Sequence, residues 1–121
     1  MHGEPGWDEA TPCGTFALFD IRPGRVEESR RDPADYGLPR CAPEDLAGGD
    51  AEHNAAALEV VLRGEEEGAH RDSLLLSTGL LLEVTGQVRE LSAGIEQARE
   101  TVSSGRGATV LDRLREFVDE V

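Results

Sequence analysis

The densest group of chemically useful side chains opens the 121-residue chain: His2-Gly3-Glu4-Pro5-Gly6-Trp7-Asp8-Glu9. Gly3 and Gly6 let the backbone turn sharply. Asp8 and Glu9 are adjacent carboxylates, and on a turn two such neighbours can aim at one cation. Mg²⁺ takes hard oxygen ligands, keeps several waters, and is commonly held by one or two carboxylates together with substrate phosphates. The spacing alone does not assign a metal. With 25 acidic side chains among 121 residues, adjacent acids arise by composition, as Glu44-Asp45 and Asp119-Glu120 show.

Other chemistry is sparse. His2, His53 and His70 are scattered, and solvated or helix-capping roles suit them. Cys13 and Cys41 lie far apart, without a CxxC pair, in Gly/Pro-rich surroundings. They read as two free thiols rather than a metal or disulfide framework. No nucleophile elbow, Walker loop or dinucleotide fingerprint is present.

The elements that must position the acids change character near residue 50. All six prolines precede it, and proline disfavours long helices there. Thr15–Ile21 reads as a strand with Phe16, Leu18 and Phe19 as candidates for burial. Arg22-Pro23-Gly24-Arg25 is a turn, and Val26–Arg30 a second, more polar strand. The stretch 32–39 reads as a loop with a single helical turn. Four helices follow. The first is capped by Asp50 and runs from Ala51 to about Arg63, with Ala55, Leu58, Val61 and Leu62 inward and Gly64 as its stop. The second, about Arg71 to Thr85, carries Leu74-Leu75-Leu76 and Leu80-Leu81-Leu82 and is apolar nearly all round, which predicts burial. The third starts after Leu91 with Ser92 as cap, and turns Ile95, Ala98 and Val102 inward. The fourth spans about Ala108 to Glu120, with Val110, Leu111, Leu114, Phe117, Val118 and Val121 on one face. The second helix asks for more apolar cover than 121 residues supply, so something outside the chain is expected to provide the remainder.

Composition excludes several roles. A net charge of −13 and a pI near 4.5 argue against nucleic acid as a partner, because phosphate binding needs a basic patch. No run reaches the roughly 18 apolar residues of a membrane span, and without a basic segment followed by an apolar run near Met1 no signal peptide is expected. The expected location is the cytoplasm.

Taken in order, the motifs resemble a known family. They are His2-Gly3-x-x-Gly6-x-Asp8-Glu9, a strand, and Asp32-Pro33-x-Asp35-Tyr36-Gly37-Leu38. Asp45-Leu46-x-Gly48-Gly49-Asp50-Ala51-x-x-Asn54-Ala55 and Leu62-x-Gly64 follow. Arg71-Asp72 then opens an apolar helix ending at Gly86, and Gly94-Ile95-x-x-Ala98-x-x-x-Val102-x-Ser104-Gly105 closes the set. This set is similar to the C-terminal part of anthranilate phosphoribosyltransferases and the other glycosyltransferase family 3 proteins, over residues 1 to about 118.

The resemblance implies an α/β fold of which residues 1–121 form one partial domain. Residues 1–50 would be its loop and strand region and 51–121 its helical region: a hairpin-like strand pair, then four helices. It implies that Asp8 and Glu9 help to hold Mg²⁺ on phosphoribosyl pyrophosphate. It also implies that the pyrophosphate-cradling glycine loop and the anthranilate contacts lie upstream, so the chain is expected to be inactive alone. Met1 falls where the family often has valine, which suits a truncated or split gene product. The expected partners are the missing N-terminal portion, or a second copy meeting the 71–86 helix. Ser77, Thr78, Gly79 and Leu80 depart from the Asn and small alanines common in the family at those positions. The alternative function is a non-catalytic remnant serving oligomerisation or protein interaction.

Overall fold

A computed structural model describes residues 1–4 and 6–120, with side chains described through residue 118. Pro5, Val121 and the side chains of Asp119 and Glu120 lie outside the described residues. Three strands, β1 (His2–Gly3), β2 (Phe16–Arg22) and β3 (Arg25–Arg31), precede two single 3₁₀ turns, Pro33–Tyr36 and Pro43–Leu46. Four helices complete the chain: α1 (Ala51–Leu62), α2 (Ala69–Val84), α3 (Leu91–Ser103) and α4 (Arg106–Glu120). The strands form one antiparallel sheet in the order β1-β2-β3.

The hairpin follows from its turn. Pro23 pre-sets one corner, Gly24 takes φ +75°, and Arg22 pairs with Arg25 across it. Side chains alternate across a strand. Phe16 is therefore fully buried and Leu18 packs on the core, whereas Phe19 points to the other face and is 44% exposed. That corrects the expectation that Phe19 is buried. The short strand β1 carries no alternation that a sequence reading could detect. It forms because the opening loop lies against β2, pairing His2 with Ala17 and Gly3 with Phe16.

The helix boundaries follow their caps. The Asp50 carboxylate accepts from His53 N–H at 2.9 Å and starts α1, and Gly64 at φ +73° follows its end. Asp32 accepts from Ala34 N–H at 2.9 Å and starts the first 3₁₀ turn. On α3 the cap position is Glu90 with no side-chain bond, and Leu91 is the first helical residue, so Ser92 is not the cap. α2 and α4 start two residues earlier than the sequence reading placed them, at Ala69 and Arg106.

The core is centred where α2 meets α3. Leu75, Leu76 and Leu80 of α2 are buried against Leu91, Ile95, Ala98 and Val102 of α3, with Ala10, Phe16 and Leu38 closing the cluster. Each such leucine contributes about 1.5–3 kcal/mol on burial. The helices meet through glycine: a Cβ on Gly94 would fall 2.7 Å from the Gly79 carbonyl oxygen and 2.9 Å from its Cα.

Apolar cover is incomplete elsewhere. Leu81 and Val84 of α2 are 59% and 66% exposed, so within the described residues the helix is buried on one side only, in line with the shortage of apolar cover read from the sequence. Of the expected α1 stripe only Val61 is buried; Leu58 is 46% exposed and Ala55 is exposed. Val110, Leu114, Phe117 and Val118 of α4 are likewise mostly exposed. Helical periodicity correctly identified the apolar faces. Their exposed parts are left uncovered by the described residues.

Polar contacts fasten the periphery. Arg31 of β3 donates to Glu83 of α2 at 2.6 Å, and both side chains are about four-fifths buried. Glu59 joins α1 to α4, accepting from Arg115 at 2.7 Å and from Arg63 at 2.7 Å. Those bonds, Arg115 first, hold the Glu59 carboxyl at about 2 instead of the ordinary 4.5. A carboxyl depressed in the folded state stabilises fully above its unfolded value and loses that contribution as pH falls through the folded one. The stability difference between wild type and Glu59→Gln is therefore expected to shrink as pH is lowered from 4.5 to about 2. Urea titrations across that range check it, and a constant difference refutes it. The group is solvent-exposed, so the effect is small and screened by salt.

Candidate functional site

The loop that carries the paired acids is closed by its own backbone. Gly3 N–H donates to Trp7 C=O and Trp7 N–H donates to Gly3 C=O, both at 2.9 Å, and Gly6 N–H donates to Gly3 C=O at 2.9 Å. Gly6 takes φ +118°, a conformation that residues with a Cβ rarely adopt. Gly3 is required for space instead. A Cβ there would fall 2.3 Å from the Glu9 carbonyl oxygen, so the second acid is folded directly over Gly3.

Both flanks of the loop are anchored. Glu4 N–H donates to Thr15 C=O at 2.9 Å. The Glu4 carboxylate accepts from Thr15 Oγ1 at 2.8 Å and from Arg30, whose hydrogen bond draws the Glu4 carboxyl below its usual range. On the other side Ala10, Thr11 and Pro12 are buried immediately after the acids. Asp8 and Glu9 are themselves exposed. The result is a pair of solvent-facing carboxylates on a loop fixed at both ends.

Glu9 stands at the edge of a cleft of about 390 Å³. Trp7 lines it too. Leu46, Gly48, Asn54, Leu58, Val61, His70, Leu74 and Ser77 line it as well. Asn54 clamps Gly49: its Oδ1 accepts from Gly49 N–H at 2.8 Å, and its Nδ2 donates to Gly49 C=O at 3.1 Å. His70 Nδ1 lies 3.9 Å from a carboxylate oxygen of Glu66, in the loop before α2. The cleft is mainly apolar, with Glu9, Asn54, His70 and two serines as its polar groups.

Asp8 and Glu9 are the residues the sequence singled out. The structure brings Glu9 to the cleft and leaves Asp8 beside it, facing solvent. Sequence reasoning did not place Asn54 or His70 in a cleft with Glu9, because they come from separate elements. The only signal was the Gly48-Gly49-Asp50 stretch, which reads as a turn feeding a helix cap and does serve as one.

Among the described residues no three His, Cys, Asp or Glu side chains converge as a cage. Two exposed carboxylates do not make a self-sufficient resident site. They do match the way Mg²⁺ is held on a phosphorylated substrate, with few protein ligands and the remainder from water and phosphate oxygens. Among the described residues no helix is long and apolar enough to cross a membrane.

Comparison with known proteins places these features. The sequence profile of the glycosyl transferase family, a/b domain, matches residues 1–108. Anthranilate phosphoribosyltransferase from Azorhizobium caulinodans is 43% identical over 114 residues, covering 94% of this chain and 33% of that protein. The same enzyme from a Nocardioides species is 42% identical over 118 residues, covering 93% of this chain and 34% of its own. In structure, anthranilate phosphoribosyltransferase from Thermus thermophilus superposes with a TM-score of 0.80 at 33% identity, over 93% of this chain and 32% of that one. The Saccharomyces cerevisiae enzyme, solved in complex with PRPP and Mg, shares the fold at a TM-score of 0.89 and 24% identity, over 99% of this chain and 34% of its own. The chain thus spans about a third of the length of the relatives it matches. With an antiparallel three-stranded sheet, four helices and a profile match over residues 1–108, the chain belongs to the glycosyl transferase family, a/b domain.

Proposed function

We propose that this chain is the C-terminal portion of an anthranilate phosphoribosyltransferase-type enzyme. It contributes Asp8 and Glu9 to the reaction and depends on the remaining two-thirds of the fold for the rest. The observation that carries this reading is the rigid, glycine-closed loop presenting two adjacent carboxylates, one of them at the edge of an open cleft. In the transfer of a phosphoribosyl group to an aromatic amine, pyrophosphate departs from the ribose carbon. A bound Mg²⁺ would supply counter-charge to that departing group.

The chain's own residues have definite tasks in this scheme. Asp8 and Glu9 offer carboxylate oxygens without having to reorganise, because Gly3, Gly6 and the buried Ala10–Pro12 segment fix the loop beforehand. Preorganised charge of this kind acts more strongly once the site is closed to water. Closure would come from the missing portion, covering the cleft and the apolar faces of α1, α2 and α4.

The test is reconstitution. The chain is co-expressed with the segment of the Azorhizobium relative that precedes the matched region, and pyrophosphate release is measured with phosphoribosyl pyrophosphate, anthranilate and Mg²⁺. Activity of the pair, with neither piece active alone, is expected. A stable but inactive complex would overturn the proposal.

The exposed apolar face of α4 favours a second reading, an association module without catalysis. Under it, light scattering shows a stable homo-oligomer, and the upstream segment does not compete with self-association.

A further inference from the structure

Cys13 and Cys41 are 28 positions apart in the chain, yet their sulfurs lie 3.4 Å from each other. Both thiols are free and half-buried. Backbone contacts hold them there. Cys41 N–H donates to Pro12 C=O at 3.4 Å, and Cys13 N–H donates to Thr11 Oγ1 at 3.3 Å. Thr11 and Pro12 are among the most deeply buried residues of the protein, so the segment bearing Cys13 cannot drift from the one bearing Cys41. Cys41 also borders an open cleft with Arg40, Asp45, Arg71 and Asp72, through which a small solute reaches its sulfur.

We infer that Cys13 and Cys41 are a redox-responsive pair that closes to an intramolecular disulfide by exchange with a small-molecule disulfide of the glutathione class. One protein thiolate attacks a sulfur of oxidised glutathione. The glutathione S–S bond breaks, and the first glutathione thiolate leaves. The second protein thiolate then attacks the protein sulfur of the mixed disulfide and expels the second glutathione. Two protein thiols are oxidised, one glutathione disulfide is reduced to two thiols, and the two protein protons end on the departing thiolates. The sulfurs are already in van der Waals contact, so closure needs little backbone movement.

The surroundings set the rate and the consequence. Burial, the contact with Cys13 and the nearby Asp45 and Asp72 push the Cys41 thiol up to about 11. The attacking species is the thiolate, so exchange accelerates toward alkaline pH. The resulting cross-link ties the segment that follows Asp8-Glu9 to the one leading into the Pro43–Leu46 turn.

The experiment incubates the whole chain at mildly alkaline pH with a mixture of oxidised and reduced glutathione, quenches with acid, and reads intact mass and maleimide labelling. The expected product has lost two hydrogens, carries no glutathione and resists maleimide. Its thermal midpoint is expected to rise by about 10 °C, as for a cross-link closing a loop of this size. Cys13→Ser and Cys41→Ser each stop at a single glutathione adduct with no gain in midpoint. In urea, closure of the wild type is expected to be about tenfold less favourable, because the fold supplies the effective concentration. Two glutathiones on the wild-type chain, or equal closure in buffer and in urea, would overturn the inference.

Discussion

Gly94→Val is expected to destabilise the chain by about 3 kcal/mol, at the upper end of what overpacking does. Most steric insertions are softened because a neighbouring side chain swings away. Here the nearest atoms to a new Cβ are the Gly79 carbonyl oxygen at 2.7 Å and the Gly79 Cα at 2.9 Å, and neither can rotate aside. The two helices would have to separate, withdrawing Ile95 and Ala98 from Leu75, Leu76 and Leu80. A domain of this size has roughly 5–15 kcal/mol of stability in all, so the loss is large. Gly79→Ala should cost less because it adds a single carbon, although that carbon would meet Ile95 Cγ1 at 2.9 Å and the Ile95 backbone nitrogen and Leu91 Cδ1 at 3.0 Å. Ala93→Val, exposed on the same helix, controls for the branched side chain itself. Urea denaturation of the four proteins orders them. A Gly94→Val midpoint no lower than that of Ala93→Val would show that the glycine contact is not what sets the helix spacing.

The second large effect concerns Asp8 and Glu9 in the reconstituted enzyme. Asp8→Asn and Glu9→Gln keep size and hydrogen-bonding shape while removing the charge. Each is expected to lower kcat/KM by about 100-fold, equivalent to about 2.7 kcal/mol of transition-state stabilisation. On the proposed role of the pair as Mg²⁺ ligands, excess Mg²⁺ should restore part of the loss, since the loop itself is undisturbed. Circular dichroism should be unchanged, since both side chains are exposed and neither belongs to the core. A loss of less than about threefold in both variants would remove the acids from the reaction.

Local rules fixed the parts of this fold that depend on neighbours in sequence. Asp50 starting α1, the Arg22–Arg25 turn, and the inward face Ile95, Ala98 and Val102 all follow from capping, turn chemistry and helical period. The parts that escaped are non-local. A two-residue strand has no pattern of its own, so His2–Gly3 becomes visible only once β2 is beside it. The cleft around Glu9 gathers residues from the opening loop, the Leu46–Asn54 stretch and two helices. The proximity of Cys13 and Cys41 depends on the path of a proline-rich loop. Leu58 and Phe117 illustrate a different limit. Periodicity says which side of a helix is apolar, but it is silent on whether anything packs there. Phe19 differs again, since strand alternation would have turned it away from Phe16 had it been applied strictly.

The outer strand β3 reads Arg-Val-Glu-Glu-Ser-Arg-Arg, and among the described residues its far side pairs with no other strand. An open strand edge is a template on which foreign chains can add and fibres can grow. Five of these seven side chains are charged, and both signs occur along the ribbon. An incoming segment would have to desolvate them without guaranteed counterparts. The sheet therefore ends in a selvedge that resists unravelling into aggregates, even while the greasy helical flank remains open to docking.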